Sequence, residues 1–172
     1  MTDSIIQNVP DTAFMAAAYR AIESEKKKPL FIDPLAAKLA GTRGRAIIAS
    51  LPPKAMMGGW TVIIRTCVID KLILQAIAQG VDTIINLGAG LDTRPYRMTL
   101  PETLRWFEAD FPNIIDWKNN QLADELPNCQ LKRIALNLTD TNARLKILDE
   151  AGVGSKKILV LTEAVMLNCV QI

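Results

Sequence analysis

The sequence predicts an α/β protein built on a parallel, doubly wound sheet that follows an all-helical N-terminal stretch. Three observations predict it. From residue 81 onward, short β-branched apolar runs alternate with helical patterns, as parallel strands with crossover helices do. The first run, Ile84-Ile-Asn-Leu87, flows straight into the glycine turn Gly88-Ala-Gly90. The next run, Leu104-Arg-Trp-Phe-Glu-Ala-Asp110, ends in an acid twenty residues past Gly90. A strand, a glycine turn and an acid at that distance is how such sheets hold an adenosine-containing ligand. The glycines let backbone approach the ligand, and the acid takes the ribose hydroxyls.

In chain order, Asp11-Thr12-Ala13 opens a helix to about Lys27, with Asp11 or Thr12 as N-cap and Pro29 as its stop. A second helix starts at Ile32-Asp33-Pro34-Leu35, with Asp33 as cap and Pro34 at the first helical position. Gly41 and Gly44 interrupt it. Arg45 to Leu51 reads as a short helix stopped by Pro52-Pro53, and Gly58-Gly59 as a loop. From about Trp60 to Gln79 apolar residues recur at helical spacing (Ile63, Ile64, Cys67, Val68, Leu72, Leu74, Ile77), and Gly80 is the expected C-terminal stop.

Strands are then predicted at Thr83–Leu87, Arg105–Ala109, Gln130–Asn137 and Lys157–Thr162, with helices at Ile114–Leu126 and Asn142–Ala151, the latter closed by Gly152. This divides the chain into a helical part, 1–80, and the front part of a sheet domain, 81–172. Doubly wound sheets ordinarily carry about six strands. Four strands leave the last with an unpaired apolar edge, so the sequence reads as the front portion of a longer domain.

The 172 residues are 49% apolar and 22% charged, which fits a globular domain with a real core. A net charge of +2 gives no electrostatic case for nucleic acid, and Lys26-Lys27-Lys28 beside Glu23 and Glu25 reads as a solvated helix end. Cys67, Cys129 and Cys169 lack CxxC spacing, which argues against a disulfide framework and against zinc. Reduced cytoplasmic thiols are the simpler reading. With no histidine, His-based catalysis and His metal ligation are excluded within this chain, and no metal is expected. The N-terminus, with Asp3, does not read as a signal peptide. Arg65, Asp70, Lys71 and Asp82 break the longest apolar stretches, so none spans a bilayer. A cytoplasmic protein with no membrane or nucleic-acid partner is the expectation.

Gly88-Ala-Gly90-Leu-Asp-Thr93 keeps only the first two glycines of G-x-G-x-x-G. The third lets a helix pack close under a pyrophosphate, so Thr93 counts against NAD. S-adenosylmethionine has no phosphate and needs only the turn and the close backbone approach. Asp110, at the very end of its strand, suits both ribose hydroxyls as an acceptor-only carboxylate. Glu108, two residues back on the same side, is its rival.

Taken together, several segments resemble the leucine carboxyl methyltransferase family. They are Asp11-Thr-Ala, Tyr19-Arg20-Ala21, Leu30-Phe-Ile-Asp-Pro-Leu-Ala36, Arg65-Thr66, Asp70, Asn86-Leu-Gly-Ala-Gly-Leu-Asp-Thr-Arg94, Tyr96-Arg97, Glu108-Ala-Asp-Phe-Pro112 and Glu163. The nearer likeness is to its bacterial branch of S-adenosylmethionine-dependent O-methyltransferases, which includes polyketide carboxyl methyltransferases. The resemblance implies a Rossmann-like methyltransferase fold with a helical lid. It implies S-adenosyl-L-methionine as cofactor, and methyl transfer to a carboxylate or hydroxyl of a small, polyketide-like molecule.

It also implies roles for matched positions. Arg65 pairs with the methionine carboxylate, Gly88 and Gly90 line the methionine end, and Asp110 holds the ribose. Asn137-Leu138 stand at the family's usual Asp-Leu, which contacts adenine. Glu163 sits near the methionine amino group, although Ala164 stands where glycine is usual and Asn168 where tyrosine is.

A carboxylate acceptor is ionised at neutral pH and needs no general base, so the lack of histidine is compatible with that chemistry. Trp60, Met56 and Met57 are candidates to line an acceptor site, with core packing the plainer reading. Two other readings remain: an NAD-dependent oxidoreductase, and a truncated chain that keeps part of a cofactor cleft without catalysis.

Overall fold

The computed structural model describes residues 9–52 and 57–163, and of residues 9, 10 and 57 only the backbone. The chain divides into two units. The first runs up to Lys71 and takes in Leu91–Thr93; the second comprises Leu72–Gly90 and the chain from Arg94 on.

In the first unit, α1 (Val9–Ser24) and α2 (Ala36–Ser50) pack on each other, followed by most of α3 (Met57–Ala78). Tyr19, Val62 and Ile63 form one buried cluster, with Met15, Phe31, Ile48 and Leu51 around it. Asp11 lies inside the first turn of α1 rather than at its cap, and pairs with Arg43 of α2. The expected break of the second helix falls at Gly41 alone, where the backbone leaves helical angles (φ +56°). Gly44 stays helical, and it is a glycine because α1 crosses there: a Cβ would lie 2.7 Å from the Phe14 carbonyl oxygen. Gly58-Gly59 is likewise helix, not loop. A Cβ on Gly59 would meet the Tyr19 ring at 2.5 Å, so the glycine serves close packing at the start of α3.

Gly80 ends α3 as expected. Its φ is +90°, its N–H reaches the Ile77 carbonyl at 2.9 Å, and the Val81 N–H reaches that of Ala76 at 3.0 Å. These are the two bonds of a Schellman motif.

The second unit is a four-stranded, all-parallel sheet in the order β3-β2-β1-β4. Its strands are β1 (Thr83–Leu87), β2 (Arg105–Asp110), β3 (Gln130–Ala135) and β4 (Ile158–Thr162). Between them run α4 (Arg94–Arg97), α5 (Pro112–Gln121) and α6 (Thr141–Gly152). α4 has no counterpart in the sequence reading. α5 begins and ends earlier than the apolar pattern suggested, with Pro112 in its first turn. β3 stops two residues short of Asn137. Gly152 closes α6 from inside the helix, and the left-handed residue is Gly154. Asp140 caps α6 by accepting from the Asn142 and Ala143 N–H groups.

The core lies where Ile85, Phe107, Ala109, Leu136, Ile147 and Ala151 meet. Central β1 and β2 are buried almost throughout, whereas β3 and β4 alternate. Among the described residues β4 pairs only with β1, and its Ile158 and Val160 are exposed. Also among these residues, no helix is long and apolar enough to cross a membrane.

Candidate functional site

The strand order locates the site. From β1 the chain steps outward to β2 and β3, then returns to place β4 on the other side of β1. The connection after β1 and the one that leads from β3 into β4 therefore run in opposite directions, and the gap between the carboxyl ends of β1 and β4 is where open α/β sheets bind ligands. The register brings Leu87 level with Ala109 and with Thr162. The next residues on these strands are Gly88, Asp110 and Glu163.

Gly88 and Gly90 both take left-handed angles (φ +72° and +51°), which fold the chain sharply over the tip of β1. The Gly88 N–H donates to the Ala109 carbonyl at 2.8 Å, and the Gly90 N–H to Asp110 Oδ2 at 2.6 Å. The Phe111 N–H donates to Asp110 Oδ1 at 2.7 Å. Turn and acid thus form one hydrogen-bonded unit. Asp110 is 8% exposed. Burial, the largest influence, pushes its carboxyl above the ordinary aspartate range, and the Gly90 and Phe111 N–H groups and the charge of Lys118 pull it partly back. Glu108, the rival acid, has no exposed surface and takes Lys118 Nζ at 2.8 Å and Arg133 Nε at 3.1 Å. It is committed to the interior, and Asp110 is the acid at the strand tip.

Asn137 and Leu138 follow β3, whose Ala135 is level with Asp110. Asn137 is exposed. Its Oδ1 accepts from both the N–H and the hydroxyl of Thr139 at 3.0 Å, an Asx turn that ends the strand early. Leu138 is half-buried against the core. Glu163 accepts from Arg94 Nη1 at 3.1 Å, and Arg94 is buried. Nothing in the sequence gives Arg94 a role beyond its place in the Asn86–Arg94 segment. Ala164, Asn168 and Cys169 lie outside the described residues. Cys129 is buried, and burial, aided by the charge of Glu108, pushes its thiol up to about 12, so it is no nucleophile.

In the first unit, Asp33 is not a helix cap. The cap position of α2 is Leu35, without a side-chain bond. Asp33 Oδ2 instead accepts from Arg20 Nε at 2.8 Å and from the Thr93 hydroxyl at 2.6 Å, while Arg20 Nη2 donates to the Leu91 carbonyl at 2.6 Å. The hydroxyl that replaces a third glycine therefore has a buried structural partner. Arg65 lies on α3, half-buried, in a shallow groove with Trp60, Thr61, Ile64, Val68 and Ile69. Trp60 is 57% exposed, with Lys26 Nζ 5.6 Å from its ring centre, so it is not a core residue. Met56 lies outside the described residues.

Of the seven residues singled out, Gly90 and Asp110 are joined by a direct hydrogen bond, and Gly88 is bonded to the backbone of Ala109, next to Asp110. Asn137, Leu138 and Glu163 stand at the same edge of the sheet, and Arg65 belongs to the other unit.

Comparison with known proteins agrees with the sequence resemblance. The pattern of the leucine carboxyl methyltransferase family matches residues 13–167, and the chain belongs to that family. It is 34% identical over 140 residues to a protein of Streptomyces coelicolor named as a candidate S-adenosyl-L-methionine-dependent methyltransferase, covering 75% of this chain and 49% of the relative. A protein of the same designation from Streptomyces avermitilis is 36% identical over 134 residues, covering 73% of this chain and 47% of that one. A Mycobacterium tuberculosis relative, also so named, is 32% identical over 149 residues, or 79% and 46%. The chain spans about half the length of the curated relatives it matches.

Proposed function

We propose that this member of the leucine carboxyl methyltransferase family binds S-adenosyl-L-methionine at the carboxyl ends of β1 and β2 and passes its methyl group to an oxygen of a small molecule, a carboxylate or a hydroxyl. The observation that carries the reading is the short bond from the Gly90 N–H to Asp110, beside two left-handed glycines. The residues fit the group. A carboxylate has about four lone-pair sites, and Asp110 spends two on backbone N–H donors. The other two can accept the paired hydroxyls of a ribose. The bare backbone of Gly88 and Gly90 leaves room for the rest of the nucleoside to lie against the turn.

At the flanks, Leu138 offers an apolar edge to adenine. Asn137 spends its oxygen on Thr139, so its amide nitrogen is the donor it can offer. Glu163, oriented by Arg94, offers an anion to the amino group of the methionine portion.

When bound, the cofactor supplies a methyl on a positively charged sulfur, open to in-line displacement. The chain's task is then alignment and the exclusion of water, which need no base when the acceptor is already a carboxylate.

Calorimetry with S-adenosylmethionine, S-adenosylhomocysteine and NAD tests the reading. Micromolar binding of the sulfur nucleosides and none of NAD is expected; the reverse pattern would overturn it. Release of labelled methyl to a panel of small carboxylic acids then separates an enzyme from a protein that only binds.

A further inference from the structure

The proposed cofactor contacts leave unused a group of charges beneath the tip of β2. Lys118, from α5, has no exposed surface. An ammonium is kept in such a place only where anions make up for its lost hydration. Glu108 supplies one at 2.8 Å, but the same Oε2 also accepts from Arg133 Nε at 3.1 Å. One carboxylate thus stands between two cations. Its Oε1 has no hydrogen-bond partner among the described residues. Asp110 is the next carboxylate along the strand, two residues on and on the same side of β2.

We propose that Lys118 is a positioning residue for the ribose end of the site: its buried ammonium keeps the Asp110 carboxylate charged and able to accept two hydroxyls, without itself touching the cofactor. The proposal rests on the assignment of Asp110 to the ribose. Burial alone favours the neutral acid, which would present a donor where an acceptor is needed. The field of Lys118 opposes that tendency. The charged groups around this strand end are Glu108 on β2 itself, Lys118 from α5, and Arg133 from β3, which reaches Glu108; the β1 turn contributes the uncharged Gly90 N–H. Arg133 is further tied to Asn119 at 2.8 Å and to the Tyr96 hydroxyl.

The test is S-adenosylhomocysteine binding by calorimetry from about pH 8 to about pH 5. It uses the full chain and its Lys118→Met, Lys118→Arg and Asp110→Asn variants, with a thermal melt at each pH. Wild-type affinity should stay flat down to about pH 6. Lys118→Met should match wild type within about threefold near pH 8, then weaken along a curve displaced upward by about one pH unit. Lys118→Arg should restore the wild-type curve. A purely structural lysine would lower the melt without moving the curve, so parallel curves for wild type and folded Lys118→Met overturn the proposal. Should Lys118→Met not fold, Lys118→Gln takes its place under the same two outcomes: a curve displaced upward supports the proposal, and one parallel to wild type overturns it. Binding by Asp110→Asn equal to wild type would instead overturn the ribose assignment, and this proposal with it.

Discussion

The two ends of the same sheet treat a carboxylate in opposite ways. At the amino end, Asp82 receives the Lys156 N–H at 2.9 Å and the Thr83 hydroxyl at 3.2 Å, and its carboxyl is held below the usual range, chiefly by the Lys156 N–H. Nearby, Arg105 closes the end of α6 by donating to the carbonyls of Ala151 and Val153 at 3.2 and 2.7 Å. At the carboxyl end, Asp110 also has two backbone donors, yet burial leaves its carboxyl above the usual range. The charge on Asp82 suits the fold, while the charge on Asp110 works against it. Under the proposed assignment, the disfavoured charge lies at the edge that would take the cofactor, and the favoured one at the end that serves stability.

The contrast fixes the signs. Asp82, with its carboxyl lowered by folding, contributes stability that is present above the ordinary aspartate range and lost as pH falls through its own lower value. Asp110, raised by folding, contributes stability only below the ordinary range, and loses it as pH rises through its raised value. At neutral pH its charge is a cost to the folded chain.

Three substitutions sharpen or break this contrast. The largest effect is expected for Asp110→Asn: S-adenosylhomocysteine affinity should fall about 150-fold, the lower bound for two charge-assisted hydrogen bonds, with little change in thermal midpoint. Relief of the buried charge offsets the bond lost to one backbone N–H. A large fall in midpoint with unchanged affinity would reverse the roles of the two ends. Next is Arg105→Met, which should cost about 2 kcal/mol in denaturant unfolding through the exposed α6 carbonyls and leave affinity unchanged. The smallest effect belongs to Asp82→Asn. Its melt should fall modestly near pH 7 and depend less on pH under acid than wild type does; an unaltered acid profile would remove Asp82 from the comparison.

Much of the sheet was legible because its signals are local. A β-branched run between Gly80 and Gly88 can only be a short buried strand, and Thr83–Leu87 is that strand. The Gly88–Gly90 turn and Asp110 were legible because their spacing follows from one strand, one crossover and a second strand. What the sequence hid depends on distant partners. Asp33-Pro34 has the local look of a helix start, but the partners of Asp33 lie 13 and 60 residues away. Gly58-Gly59 has the look of a loop until the Tyr19 ring is placed against it. Lys118 lies on the apolar face of α5, in line with Ile114 and Leu122, yet a lysine reads as solvated by its type, and only the pairing of β2 with β3 reveals two cations on one acid.

The most direct test is to follow backbone amides by NMR as S-adenosylhomocysteine is added to the chain. Occupation of the strand tips should move the Gly90 and Phe111 amides, the two that donate to Asp110, while the Lys156 and Lys157 amides that face Asp82 stay put. Saturable binding with Gly90 and Phe111 unmoved would contradict the site described.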